Sequence, residues 1–540
     1  MKRFFKIIVC LLCLLITFAC FSCDKKGNQN EGNKKQLSPI HPITYQGVNT
    51  ITDYDSYLGE VRKNGNNNDD PVENGIVNCT YFDLEINGSK IPVYTTRAAL
   101  GLHNFAYVDA EKVNGEILLD IKIEAKRNYK SVVVLPESKQ VTATMSGNQI
   151  TATVNDYGDY TFVFDKKPED PLTVYVAPKT QVEVPNGWQE RVIAPGKYTS
   201  KQTNFVDEQT VYVFKKGRYS LSSVHIPQNS HVYFEPGVIV DVYPESDSDY
   251  LAALRSGGSN VKVYGRALFD FSACLGGDAK IIGVYRFSNV SNFDLEGLIT
   301  INSNNWTLCF TNSNNVNISR CLFFGYRTYS DGIMLSDCQN SGAKYCFVRT
   351  GDDAIETKST GSMYTDGILY EYNTVWTDKA NAYGAIYECN NHMQNVVFRN
   401  CSVGFAQPTW SERLGVMVVQ MGNNREAVWE DIHFENIEVY RNDCALINIT
   451  LRDEANNGVH GGTLKSVYFK NINSYRCYGY PFRLYVITGG SVGQVYLNNV
   501  YYNGNKIVEK DLKNSDVMNI TNSMVGWSKE KNIIINSLDV

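Results

Sequence analysis

The sequence carries little net charge, few basic clusters and no metal-binding cysteine pattern, and each shortage narrows the field. A formal charge of -6 over 540 residues, with no basic run beyond the first residues, argues against nucleic acid or an anionic membrane surface as the partner. The same small charge gives no reason to expect an acidic substrate. Of the 14 cysteines, Cys10, Cys13, Cys20 and Cys23 belong to the N-terminal apolar run, and the remaining ten show neither CxxC nor Cys/His metal spacing. No metal site and no cofactor is therefore expected. Leucine does not recur at several fixed positions per unit, which excludes a leucine-rich repeat. Nor are there four strands per ~40 residues, as a propeller requires. What is present, 43% hydrophobic and 20% charged residues, is enough for a large soluble core in two or more domains.

The N-terminus reads as an export signal. Lys2 and Arg3 precede "FFKIIVCLLCLLITFACFSC", a charged n-region and an apolar h-region ending at Cys23 after the small residue Ser22. Residues 1–23 resemble a bacterial lipoprotein signal in which Cys23 is lipidated, which implies an exported protein anchored in the outer membrane, on its periplasmic or cell-surface face. An uncleaved anchor is the alternative, because the apolar stretch reaches the ~18 to 20 residues a span needs. Residues 24–43, polar and rich in Lys, Asn and Gly, read as a flexible tether.

From about residue 290 a phrase recurs: "LEGLITI", "ISRCLFF", "AKYCFVR", "YEYNTVW", "FRNCSVG", "FENIEVY", "FKNINSY", "LNNVYYN". Its fourth residues are Leu298, Cys321, Cys346, Asn373, Cys401, Ile437, Ile472 and Val500, at intervals of 23, 25, 27, 28, 36, 35 and 28. Short β-branched and aromatic strands at such periods, separated by Asn/Gly/Ser turns, predict the coils of a parallel β-helix. Coils stack at ~4.8 Å, so equivalent residues form ladders. Cys321 and Cys346 become inward neighbours, expected as buried thiols rather than a disulfide, since stacked Cβ atoms lie slightly beyond the ~3.5 to 4.5 Å a disulfide prefers.

The same stacking gathers carboxylates. Aligning "SDGI", "DDAI" and "YGAI" on Ile333, Ile355 and Ile386 puts Asp331 one coil from Asp353, with Asp352 beside them. Three carboxylates so close cannot all ionise freely, so at least one is expected to stay protonated near neutral pH. One acid that protonates a leaving oxygen and one carboxylate that activates water are what glycoside hydrolysis uses. Asp-Gly and Gly-Asp-Asp are also ordinary turn sequences, and the stacking on successive coils is what favours a site.

"INSNNWTLCFTNSNNVNISRCLFFGYRTYSDGI" followed by "TGDDAIETKS" resembles the polygalacturonase-type glycoside hydrolases and the related dextranase and isopullulanase family, right-handed β-helix enzymes. The resemblance covers roughly residues 205 to 500 by repeat pattern and 300 to 360 by specific motif. It implies Asp331, Asp352 and Asp353 as the catalytic triad, with Asp352 the general acid and Asp331 and Asp353 holding and deprotonating the water. Lys358 takes the place of a following substrate-binding lysine. Two departures point toward the dextranase side. Polygalacturonases carry a Gly-His-Gly segment on the next coil, where "ANAYGAIYEC" has Ala382. They also carry an Arg-Ile-Lys clamp for the sugar carboxylate, where "RLGVMVV" aligns Gly415 and Met417, with Arg413 two residues away. A missing clamp would leave an acidic sugar unpaired, so a neutral α-glucan such as dextran is expected.

Residues 44–185 alternate polar and apolar positions between closely spaced turns, which predicts a β-sandwich covering the mouth of the helix. Residues 186–510 would be the β-helix and 511–540 a non-repeating cap. Trp306, Tyr329, Trp376, Tyr383 and Trp410 are candidate sugar platforms, and Glu388 and Arg349 candidate hydroxyl ligands. The expectation is thus an all-β, lipid-anchored, endo-acting and inverting polysaccharide hydrolase, although carboxylates on adjacent coils at ~4.8 Å by themselves suggest retention. A polygalacturonase-type hydrolase, a calcium-dependent polysaccharide lyase and a non-catalytic glycan-binding solenoid are the alternatives. The sequence does not address oligomeric state.

Overall fold

Ladders of identical or similar residues dominate the architecture. The computed structural model describes residues 36–535 except 55–56, 58–74, 246–251, 277–284, 362, 409–410, 423–425, 452–460 and 487–488. The signal sequence, Cys23 and Trp410 lie outside the described residues.

The second part of the chain is a right-handed parallel β-helix with three strands per coil. One coil runs Ile333–Ser336, Gln339–Lys344 and Phe347–Thr350, and the next runs Ile355–Ser359, Thr365–Glu371 and Thr374–Thr377, each strand pairing in parallel with its counterpart. Among the described residues, one sheet stacks eleven strands from Val224–His225 to Met518–Asn522, and it carries the aspartates at the start of two of them. Inward positions fill a continuous core in which Cys321 and Cys346 are adjacent and buried, and the ten described cysteines are unpaired.

Corners are set by residues in the left-handed region. Asn260, Asn292, Asn315 and Asn340 have φ of 56°, 53°, 54° and 47°. Asparagine tolerates this conformation because its short amide can bond locally. Here the amides also bond along the stack, Asn292 Nδ2 donating to Asn260 Oδ1 at 2.9 Å and Asn315 Nδ2 to Asn292 Oδ1 at 3.0 Å.

The first part is a sandwich of an eight-stranded and a five-stranded sheet among the described residues. Alternation places Phe82, Leu84, Ile86, Ile121 and Ile123 on the inner face of the smaller sheet, against Leu102, Ala106, Val174 and Val176 of the larger. It begins inside the expected tether, since Ile40–Pro42 pairs antiparallel with Gly101–Ala110. The described part of the expected cap, residues 511–535, also contains strands of the stack. Met518–Asn522 and Ile533–Ile535 extend the helix as a last coil, because their apolar residues repeat the inward pattern.

Among the described residues, the sandwich packs against the side of the helix and not over its mouth, where it was expected. Tyr94, Phe105, Tyr107 and Tyr175 pack on Ile299, Leu322, Phe324, Phe347, Trp376 and Phe405, residues of successive coils, so the sandwich lies along the flank. The outward residues of those strands are apolar where a solvent-facing strand would be polar, which suits them to this contact. Two buried ion pairs pin the contact. Arg266 Nε meets Asp109 Oδ1 at 2.8 Å, with the guanidinium also donating to Pro178 O at 2.8 Å. Arg349 is paired at both ends of its fork with Asp378, at 3.1 and 3.2 Å, and donates to Pro168 O at 3.0 Å.

Removing one partner of a buried pair strands the other charge. Arg266→Met is therefore expected to lower unfolding stability by about 3–5 kcal/mol, measured by denaturant titration.

Candidate active site

Register, rather than proximity in sequence, builds the site. Leu308 pairs with Ile333, Ile333 with Ile355, Ile355 with Tyr383 and Tyr383 with Met417. The backbone bonds Thr307 N to Asp331 O, Gly332 N to Asp353 O, Ala354 N to Asn381 O and Ala382 N to Gly415 O continue this register toward the strand starts. The resulting row is Trp306, Asp331, Asp353, Asn381 and Gly415, one residue per coil. The expected rung at Ile386 is thus corrected to Tyr383. The connection before that strand is three residues shorter than the sequence alignment assumed.

Within the row, Asp353 Oδ1 accepts from both Asn381 N at 3.0 Å and Asn381 Nδ2 at 2.8 Å. Asp352, beside it, accepts from Tyr329 N at 3.0 Å and from Asp353 N at 3.0 Å. Tyr329 holds a positive φ of 61°, an uncommon conformation for so bulky a residue and one often kept at functional sites. The three aspartates are therefore brought together as expected.

Their charges are unevenly placed. Burial and then the Asp353 charge push Asp352 up to about 6. Asp331 is raised well above the usual carboxylate range, by burial first and then by the charges of Asp352 and Glu356. Asp353 is raised by burial, while the Lys358 charge and the two Asn381 bonds favour its ionised form.

Glu356 is the residue the sequence reading passed over. It is fully buried, and its carboxylate has an oxygen within 4.8 Å of those of Asp331 and Asp353. Both of its oxygens and Asp331 Oδ1 are buried without a hydrogen-bond partner. Two facing carboxylates can bond only by sharing a proton. Burial pushes Glu356 up to about 8, so the pair retains that proton at neutral pH. The available signal was the alternation of "IETKS", which puts Glu356 and Lys358 on the face opposite the core residues Ile355 and Thr357.

Lys358 bridges the group. Its ammonium is 2.7 Å from Glu388, 3.4 Å from Glu356 and 5.1 Å from the Trp306 ring centroid. Burial pulls Lys358 down, and Glu356 and Glu388 more than offset it. The cluster of Asp331, Asp353 and Glu356 has the spacing of a cation site, yet Lys358 already supplies positive charge against it, so a metal ion fits poorly.

Other expected ligands lie elsewhere. Arg349 is fully buried in the ion pair at the sandwich contact. Trp376 packs there with Phe405, their centroids 4.8 Å apart. Tyr383 faces the core and donates its hydroxyl to Asn373 O at 2.8 Å. Each is outward or inward facing as its strand dictates, which the sequence alone did not assign. Trp306, Tyr329, Lys358 and Glu388 stay at the site. Lys379 joins them. Burial lowers its ammonium while the charges of Asp378 and Asp352 hold it up, which places it near the acid.

No family model matches the chain, and no curated protein matches it. Solved structures with detectable similarity include an exopolygalacturonase from Thermotoga maritima, at 17% identity over 55% of this chain and 85% of that one, TM-score 0.44. The polygalacturonase from Erwinia carotovora ssp. carotovora shows 14% identity over 67% of this chain and 99% of that one, TM-score 0.46. PfbA, a surface adhesin of Streptococcus pneumoniae, shows 10% identity over 53% and 84%, TM-score 0.32.

Two substitutions test the charge arrangement. Asp352→Asn is expected to cost about 10²- to 10⁴-fold in turnover and to leave the melting temperature at pH 7 unchanged or higher, because a repelling charge is gone. Glu356→Gln tests the shared proton. Native Glu356 holds its proton above the unfolded pKa, so it favours folding less as pH rises from about 4.5 toward about 8. The variant is expected to flatten that fall in a series of melting temperatures against pH.

Proposed function

We propose that the chain is a glycoside hydrolase acting on a polysaccharide. The observation that carries this reading is the Trp306–Asp331–Asp353–Asn381 row, with the protonatable Asp352 beside it. In this scheme Asp352 delivers a proton to the glycosidic oxygen. Asp353, whose ionised form Asn381 and Lys358 favour, takes a proton from the attacking water, and Asp331, its neighbour in the row, orients that water through a carboxyl oxygen. Breaking the glycosidic bond and forming the new bond to water in one displacement inverts the anomeric centre. Product NMR that finds the retained anomer first would overturn this step.

For the substrate, a galacturonan is the favoured reading. The expectation of a neutral α-glucan rested on Gly415 and Met417 standing where a clamp would be charged. Gly415 does fall in the aspartate row, and Met417 is buried in the core. Lys379, however, brings a cation to the acid from the neighbouring turn, so an acidic sugar need not lie unpaired. Nothing in the site favours dextran specifically. The lyase alternative is disfavoured by Lys358 occupying the acidic cluster; it predicts ultraviolet-absorbing products and loss of activity with chelator. A binding-only solenoid predicts no turnover at all. Export and lipid anchoring at Cys23 belong to the same reading, and Cys23→Ser is expected to release the protein from the membrane fraction.

Reducing-sugar release should therefore be greater from polygalacturonate than from dextran, and Lys379→Met should raise KM for polygalacturonate by about tenfold, the scale of one charge-assisted bond of ~1.5–3 kcal/mol partly retained through water. Faster release from dextran would refute the substrate assignment. Because the acid must be protonated, kcat is expected to fall tenfold per pH unit above about 6, with the apparent pKa a property of the whole cluster.

A further inference from the structure

The second corner of each coil forms its own row, and it changes character midway. Arg320, Tyr345, Tyr372, Asn400, Asn436, Asn471 and Asn499 occupy it, with φ of 54°, 57°, 55°, 55°, 53°, 54° and 54°. From Asn400 onward the amides bond along the stack, Asn436 Nδ2 to Asn400 Oδ1 at 2.9 Å and Asn471 Nδ2 to Asn436 Oδ1 at 2.8 Å. Tyr345 and Tyr372 interrupt that order with bulky residues in the left-handed region, where their backbone is strained. Nothing in the corner's geometry requires tyrosine, since asparagine fills it on the following coils.

What the tyrosines provide is an aromatic surface. Their rings stack with centroids 5.1 Å apart and planes 5° from parallel, and Tyr372 is 44% exposed. The Arg320 guanidinium lies 5.6 Å from the Tyr345 centroid, closing that end of the stack, whereas beyond Tyr372 the row continues in smaller amides.

The stack lines a groove of about 600 Å³ between the helix corner and the sandwich, with Asn400 and Asn436 on the helix side and Lys139 and Asp159 on the sandwich side. This is the size range of small-ligand sites, ~300–1,000 Å³. Asp159 is 5% exposed and accepts from the Thr374 hydroxyl at 3.0 Å, while its other oxygen is buried and without a partner. A polar group so placed marks a position where a ligand or water would complete the bonding. Asp156, Asp159 and Glu438 outnumber Lys139 in the lining, so an anionic ligand is disfavoured.

We propose that this groove is a second carbohydrate-binding site, taking a neutral hexose or pentose chain. A sugar ring presents its C–H face to Tyr372 and its hydroxyls to the amide row and the carboxylates. The row belongs to strands other than the eleven-stranded sheet that carries the aspartates, so the groove acts as a holding site separate from the chemistry. The proposal goes beyond the hydrolase reading and does not depend on turnover.

The test is affinity electrophoresis of the full chain carrying Asp352→Asn, in gels containing galactan, arabinan or dextran, with polygalacturonate as the charged comparison. Retardation by at least one neutral glycan is expected. Adding Tyr372→Asn should weaken it at least tenfold, and adding Tyr372→Phe should preserve it. Since asparagine is the row's own residue, Tyr372→Asn is expected to melt no lower than its parent, which separates lost binding from lost fold. In the otherwise unchanged chain, Tyr372→Asn should also leave turnover of short oligosaccharides intact. The proposal is overturned if no neutral glycan retards the protein, if only polygalacturonate does, or if Tyr372→Asn leaves retardation unchanged.

Discussion

In-register stacking of parallel coils is the constraint on which the rest depends. At ~4.8 Å between neighbours, every position along the chain is repeated close to its counterparts, and whatever side chain stands there must tolerate its neighbour. Apolar rows satisfy this by packing, as in Phe398 on Phe434, whose ring centroids are 4.8 Å apart. Asparagine rows satisfy it by bonding amide to amide. A row of aspartates can do neither, because acceptors face acceptors.

That conflict is resolved by the residues placed around the aspartates. Asn381 turns the next step of the row into a donor, and Lys358 answers the charge of Glu356 and Glu388 from the same face. The remaining mismatch, between Asp331 and Glu356, is met by a retained proton. A buried row that only had to be stable could carry apolar or amide residues here, as the rows through Phe398 and Asn436 do. The cost of keeping four carboxylates on two coils is local, and it produces the unequal proton affinities that acid–base chemistry requires.

Much of this was legible in the sequence because the helix is periodic. The anchors Leu298, Cys321, Cys346, Cys401, Ile437, Ile472 and Val500 are all buried in the core, as their spacing implied. Asp331 and Asp353 meet because one short coil of three strands separates them and stacks Ile333 on Ile355. The register failed at Tyr383, because "YGAI" imitates the earlier phrases three residues too late. Arg349 and Trp376 were misplaced for another reason. They alternate outward as a ligand would, but the outward face of their strands meets the sandwich, and which face a second domain covers is not written in local periodicity. Glu356 was passed over because the attention the Gly-Asp-Asp motif draws stops three residues short of it.

The flank position gives the sandwich a role in the site. Asp378, gripped by Arg349 on the helix, also accepts from the sandwich backbone at Leu100 N, 3.2 Å away. Directly after it come Lys379, the cation near the acid, and Asn381, the donor that holds Asp353. Thr377 closes the same turn by bonding Ala380 in both directions, its hydroxyl donating to Ala380 O at 2.7 Å and accepting from Ala380 N at 3.2 Å. A turn of this length between parallel strands has many accessible conformations, and fixing it by itself would cost backbone entropy of about 1–2 kcal/mol per residue. The buried ion pair holds its first residue from the helix and the contact with Leu100 holds it from the sandwich, so the position of Asn381 follows from the domain contact as well as from its own coil. The sandwich and the aspartate row are thereby joined through this one turn.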